Sequence, residues 1–443
     1  MNTGSWIKHH IVLSIIALIL GFLTIRGVFG AIQSGGPITL KEIVLSAVSQ
    51  NVRRDTHGNT NILLLGVGGE GHDGSNLTDT MIIASVDAKN KSVAMLSVPR
   101  DLYVNNPEVG WGSRMNSIYQ LILDKTGDNK EKAMKALLEQ VETIFDLEIQ
   151  YYAKVDFTGF VEVVDALGGV TVNLDEALID PFYPGPDGSL QLYDPLYIGA
   201  GERVLDGETA LKYARSRETT SDFDRAKRQQ EVLVAMKEQA MQIGFLLNPF
   251  KLKNLYKAVS NNFESNMTVS EILYMGKLAE GFDADSISHV VFNDLAYESG
   301  GFLFTPDRNL YGGAFVLTPI SGDFSELNLF AQIFLFNQEA YQNQTPISIY
   351  NGTSIEGLAV DVKLFLKRYG FNVVEHGNSL NKPVEVTNVS GSDDATLDLL
   401  EEILPGEYSG NGEEDKIVIE LGEDFIDFYK DNSAKFYDFN YYQ

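Results

Sequence analysis

A chain of 443 residues with 34 basic and 61 acidic side chains carries a formal charge of −27, and such a surface repels phosphate backbones and argues against a nucleic-acid binder. Its 44% apolar and 11% aromatic residues suffice for packed interiors, and the length calls for about two to three domains. With no cysteine, disulfides, thiolate nucleophiles and cysteine metal sites are all excluded.

The first element sets the compartment. Ile11 to Ile25 (IVLSIIALILGFLTI) is uncharged and mostly apolar, and taken to Ile32 it reaches the length of a membrane-spanning helix. Arg26 can snorkel toward one end, and Lys8 precedes the run. The positive-inside bias then predicts a cytoplasmic tail at 1–10, a single-pass anchor at 11–32 in the cell membrane, and an extracytoplasmic remainder. The competing reading is a cleaved signal peptide, with Val28-Phe29-Gly30 as a small-x-small site. Residues 33–57 begin with Ser34-Gly35-Gly36-Pro37 and read as a stalk.

Alternating strands and helices follow. Ile62-Leu63-Leu64-Leu65, ending in Gly66, predicts a buried strand feeding a glycine-rich loop. Met81–Asp87 and Ser92–Val98 predict two more strands around a turn at 88–91. Lys130–Phe145 has Ala133, Ala136, Leu137, Val141 and Ile144 at helical spacing. Val161–Val172 reads as helix, glycine break and strand. This alternation indicates an α/β domain over 58–335 with a central sheet. A fresh start near Thr345 gives a second, small α/β module over 345–443: strand at 347–350, helix at 357–369, strand at 371–374.

Three clusters carry chemistry. The loop Gly66-Val67-Gly68-Gly69-Glu70-Gly71 can cradle phosphate on backbone N–H groups or be an ordinary tight turn. Asp79, between threonines just after it, suits a hard cation such as Mg²⁺, or equally a turn. Arg100 and Asp101 end an apolar strand, where α/β ligands usually bind, although neighbouring charges also make surface ion pairs. The third cluster spans Arg215, Arg217, Asp222, Asp224, Arg225, Lys227, Arg228 and Gln229. If 213–217 is extended, Arg215 and Arg217 share a face, and a helix capped at Ser221 or Asp222 aims its positive end at them. Guanidinium forks match phosphate oxygens. Charge runs are usually solvated faces, but five basic residues in 14 positions of so acidic a chain favour a polyanion site.

These segments, in this order, resemble the LytR–CpsA–Psr family. The resemblance rests on Leu77-Thr78-Asp79-Thr80, Ser97-Val98-Pro99-Arg100-Asp101, Arg114-Met115-Asn116, Val164–Val170 (VDALGGV), Leu205–Leu211 (LDGETAL) and Arg215–Gln230. The final module, with Tyr350-Asn351-Gly352-Thr353, looks like the C-terminal domain often joined to such proteins. The family implies an α/β/α core with a central mixed sheet and an apolar channel for a polyprenyl chain. It also implies arginines on a pyrophosphate, an aspartate-bound Mg²⁺, and transfer of a glycopolymer from a polyprenyl-pyrophosphate carrier onto peptidoglycan. Carried over, Arg100, Arg215, Arg217 and Arg225 face the pyrophosphate with Gln229 nearby, and Asp79 faces the metal. Asp101 and Asp224 are candidates to take the acceptor's proton. The chain departs from the pattern at Gly68 and Leu77, where many members have aspartate and arginine; Glu70, His72 and Asp73 are the loop's possible substitutes. The same site using water would be a lipid-pyrophosphate hydrolase, and without turnover a lipid-glycan binding or regulatory protein.

Overall fold

The strand β1 (Thr60–Val67) is buried along nearly its whole length, as its unbroken apolar run requires of a strand covered on both faces. The computed structural model describes residues 52–72, 74–185, 192–216, 262–268, 287–412 and 415–436, with single positions or pairs between 228 and 282. Within these residues β1 pairs antiparallel with β2 (Thr78–Asp87) and parallel with Tyr151–Asp156, so the sheet is mixed. Phe263–Ser265 closes one edge against Tyr151–Asp156, and β3 (Ser92–Ser97) lies beyond β2. The 11–32 stretch lies outside the described residues, and among those described no helix is long and apolar enough to cross a membrane.

The described chain separates into two compact units. The first holds the described residues up to Met95, Tyr119–Asp128 and the described residues between Glu148 and Ile287. Two of its helices are locked to each other by small, specific devices. Phe157–Ala166 is capped by Asp156, whose side chain accepts from the Gly159 N–H at 2.8 Å. Gly207–Arg215 is capped the same way by Asp206, accepting from Thr209. Gly207 lies so close to the first helix that a Cβ would stand 2.4 Å from the Val161 carbonyl oxygen, and its N–H donates to Asp165 at 2.8 Å. The VDALGG and LDGETAL segments are therefore a joint: one supplies the carboxylate, the other the glycine and the cap.

The second unit holds Leu96–Ile118, Asn129–Leu147 and the described residues from Ser288 on. The helix Lys130–Phe145 has the bounds its spacing predicts, with Asn129 as its cap and Asp146 left-handed at its end. A five-stranded sheet runs in the order Val373–Asn378, Ile347–Asn351, Ile417–Leu421, Asn388–Ser390, Glu407–Ser409. In the Tyr350–Thr353 motif the Asn351 side-chain oxygen Oδ1 accepts from both the N–H and the hydroxyl of Thr353, so the motif is turn chemistry. Phe292, Phe302, Phe330 and Tyr369 form a continuous ring cluster, with centroids 5.0–6.2 Å apart. This packing joins the residues on both sides of the 335–345 stretch within one unit.

Beside that cluster Glu326 is 2% exposed. Burial pushes its carboxyl up to about 6 from 4.5, against the opposing pull of Lys435 and Arg368. A folded pKa above the unfolded one means full stability below about pH 4.5, falling as pH rises toward about 6. Glu326→Gln should therefore be more stable than the parent at pH 7 by about 2 kcal/mol, with no gain at pH 4. Urea midpoints at the two pH values check this, and an equal gain at both would assign the effect to packing.

Candidate anion-binding site

Asp79 sits where β1 and β2 go out of step. Gly66 pairs with Thr80 and Val67 with Thr78, leaving Asp79 as the extra residue of a β-bulge. Bulges re-aim side chains at sheet ends, so the half-buried Asp79 is set there by the backbone. The glycine loop follows β1 at the same end. Gly69 has φ +86°, and a Cβ there would stand 2.8 Å from the Cβ of Asp156, which ends the neighbouring strand. Burial raises the Asp156 carboxyl above its usual range, opposed by the Gly159 N–H and Lys154. A Cβ at Gly68 would lie 3.2 Å from the His72 Cβ.

Arg215 ends the helix Gly207–Arg215 with its guanidinium 4.2 Å from the Phe157 ring centroid. His72 from the glycine loop meets the same ring edge-on, at 5.2 Å. The Tyr183 ring lies 6.0 Å from the guanidinium. Cation–π contact fixes the plane of the fork without neutralising it. Among the described residues Arg215 has no carboxylate in ion-pair contact. Behind it the chain is clamped: the Ser216 hydroxyl donates to buried Asp180 at 2.7 Å. Buried Arg228 donates to the Tyr213 carbonyl at 3.0 Å and to that of Ser216, and Gln229 donates to the Ala214 carbonyl at 3.3 Å.

Residues 213–215 are thus helical rather than extended, because Asp206 starts a helix that runs through Arg215. Arg228 and Gln229 hold the backbone behind Arg215. Arg217, Asp224 and Arg225, with Ser221, Asp222 and Asp73, lie outside the described residues.

In the second unit, Asp101 is 6% exposed and takes one guanidinium on each oxygen: Arg100 Nε on Oδ2 and Arg114 Nη1 on Oδ1, both at 3.2 Å. Backbone bonds fix this group, with Asn116 N–H donating to Arg100 and Leu317 N–H to Asp101. The carboxylate orients two arginines at once, an arrangement suited to forked anion recognition. Sequence reasoning passed over Arg114 except as part of a motif, and it missed Phe157 and Tyr183 altogether. Only the caps could have pointed to Phe157, which follows Asp156 directly.

Among the described residues no three of His, Asp and Glu converge to hold a metal ion. Asp79 supplies one carboxylate, and one carboxylate by itself does not make a resident site. Mg²⁺ commonly rides on substrate phosphates with one or two carboxylates, so this donor set fits an ion that arrives with a pyrophosphate.

The LytR_cpsA_psr family model matches residues 37–308, and the model described as LytR cell envelope-related transcriptional attenuator matches 344–425. The cell wall biosynthesis protein LcpA of Corynebacterium glutamicum is 26% identical over 75% of this chain and 66% of its own length. The Bacillus subtilis polyisoprenyl-teichoic acid–peptidoglycan teichoic acid transferase TagV is 29% identical over 53% of this chain and 54% of its own. The chain therefore spans less than two thirds of the length of these relatives. The crystal structure of B. subtilis TagV aligns with 62% of this chain and 97% of its own, at 24% identity and a TM-score of 0.45.

Proposed function

The chain belongs to the LytR–CpsA–Psr family, and from that premise we propose that it is a transferase moving a glycopolymer from a polyprenyl-pyrophosphate carrier onto peptidoglycan. The observation that carries the reading is the Arg215 guanidinium, stacked on Phe157 and anchored from behind, with its charge not neutralised by any described carboxylate. Relatives named as teichoic acid transferases support the same class. A sugar hydroxyl of the acceptor attacks the glycan-side phosphorus. The new P–O bond forms as the bond to the bridging oxygen breaks, polyprenyl phosphate leaves, and the hydroxyl proton passes to a base. Preorganised guanidinium forks stabilise the charge that develops on the phosphoryl oxygens. Arg100 and Arg114, set by Asp101, have the same chemistry. Asp101 then serves as an orienting group, since both its oxygens already accept from arginines. Arg217 and Arg225 belong to the same proposal through the family motif, with Asp224 as a candidate base.

The protein is placed by this reading in the cell membrane on a single N-terminal span, with its catalytic part outside. Asp79 would hold a Mg²⁺ ion carried on the substrate's phosphates, which would spread the pyrophosphate's negative charge. Asp79→Asn should reduce transfer about 10- to 100-fold and raise the Mg²⁺ concentration for half-maximal binding of inorganic pyrophosphate, read by calorimetry. Unchanged pyrophosphate binding at every Mg²⁺ concentration would remove Asp79 from the site.

Single-turnover mass spectrometry on a lipid-pyrophosphate glycan, with and without peptidoglycan acceptor, tests the function itself. Glycan joined to acceptor through one phosphate, with release of polyprenyl phosphate, is expected. Release without acceptor would make the chain a hydrolase, and no release a binding protein.

A further inference from the structure

The hairpin formed by Leu178–Asp180 and Leu196–Ile198 is apolar on both faces, which an ordinary surface hairpin is not. Leu178, Leu196 and Ile198 point inward and join the core. Their neighbours Ile179 and Tyr197, direct cross-strand partners, point outward and are 48% and 71% exposed. Toward the tip the outward surface is extended by Phe182 and Tyr193, whose rings meet edge-on at 5.4 Å, and by Leu192, 78% exposed. A contiguous exposed patch of this kind marks an interaction surface.

We propose that this outward face docks into the headgroup region of a lipid bilayer, a step that rests on the reading of the substrate as lipid-linked. Three observations favour lipid. Ile179 and Leu192 offer aliphatic surface with nothing to bond a sugar hydroxyl, whereas tyrosine, phenylalanine and leucine together suit the membrane interface. The inner face of the same hairpin is tied to the arginine segment, through Asp180 to Ser216 and through the Tyr183 ring beside Arg215. Docking the outer face would therefore bring Arg215 toward the level where a lipid's pyrophosphate lies. Finally, residues 33–51, between the apolar stretch and the first described residue, span at most about 65 Å even fully extended, which keeps the hairpin within reach of the bilayer. The chain's −27 charge opposes anionic headgroups, so the attraction is apolar and persists in neutral lipid at high salt.

The absence of cysteine makes the test direct. Full-length Tyr197→Cys and Leu192→Cys carry an environment-sensitive dye, with Asn90→Cys as control. Asn90 is exposed in the turn after β2, at the far end of the strand from Asp79. The proteins are reconstituted in phosphatidylcholine vesicles bearing a spin label about 5–10 Å deep. The dyes at 197 and 192 should shift to the blue and lose more than about half their fluorescence to the spin label, while the dye at 90 keeps its own. If the protein floats with the vesicles but all three dyes stay aqueous, docking is wrong and the anchor stands. If it does not float, both fail. A blue shift without quenching points to another apolar cover, such as a second copy, and a response to soluble peptidoglycan fragments alone points to glycan; either overturns the proposal.

Discussion

Replacing Arg368 by alanine is expected to remove about 3–5 kcal/mol of stability. The side chain is 1% exposed at the end of the helix Leu358–Arg368. Its Nε donates to the Ala296 carbonyl at 2.8 Å and an Nη to that of Lys435 at 2.5 Å. It also offsets part of the burial that raises Glu326. Alanine leaves two carbonyls without this donor, a cavity, and Glu326 without a cation that favours its charged form. Arg368→Met keeps most of the volume and should lose less, and adding Glu326→Gln should return part of the loss because the stranded carboxylate is gone. Because Arg368 fastens the C-terminal sheet to residues on either side of it in sequence, the parent should unfold residues 288–436 in one transition. A loss under about 1 kcal/mol in denaturant midpoints for Arg368→Ala would mean that water replaces its bonds and that the arginine is not structural.

Nothing in Lys367-Arg368-Tyr369 announces that role. A basic residue in a helix's last turn reads as a dipole complement facing water, and only the distant carbonyls of 296 and 435 make it a core residue. Arg228 shows the same blindness: counted among a run of basic residues, it is buried against the backbone of 213–216. By contrast Lys130–Phe145 and β1 were legible because periodicity and unbroken apolarity are local signals. The helix Gly207–Arg215 was not, since nine residues give few turns to count; its cap at Asp206 and the close contact at Gly207 define it. The Arg215 platform takes Phe157 and Tyr183 from two other segments, and no spacing rule links them.

Arg215→Lys is the sharpest test of the transfer chemistry. The ammonium keeps the charge but neither the planar fork nor the stacking on Phe157. Losing a charge-assisted hydrogen bond to the phosphoryl oxygens amounts to about 1.5–3 kcal/mol, or roughly 10- to 150-fold in transfer. Phe157→Leu retains the guanidinium and removes only its platform, so it should lower transfer about 2- to 10-fold. Arg215 is half-buried and has no ion-pair contact among the described residues, so its melting temperature should hold within about 2 °C in the lysine variant. A surface charge would give the opposite pattern: no change in turnover, and at most about 1 kcal/mol in stability. Equal transfer by parent and Arg215→Lys would leave the stacked guanidinium as a packing feature, because an arginine gripping a pyrophosphate has to be felt in the rate before it is felt in the fold.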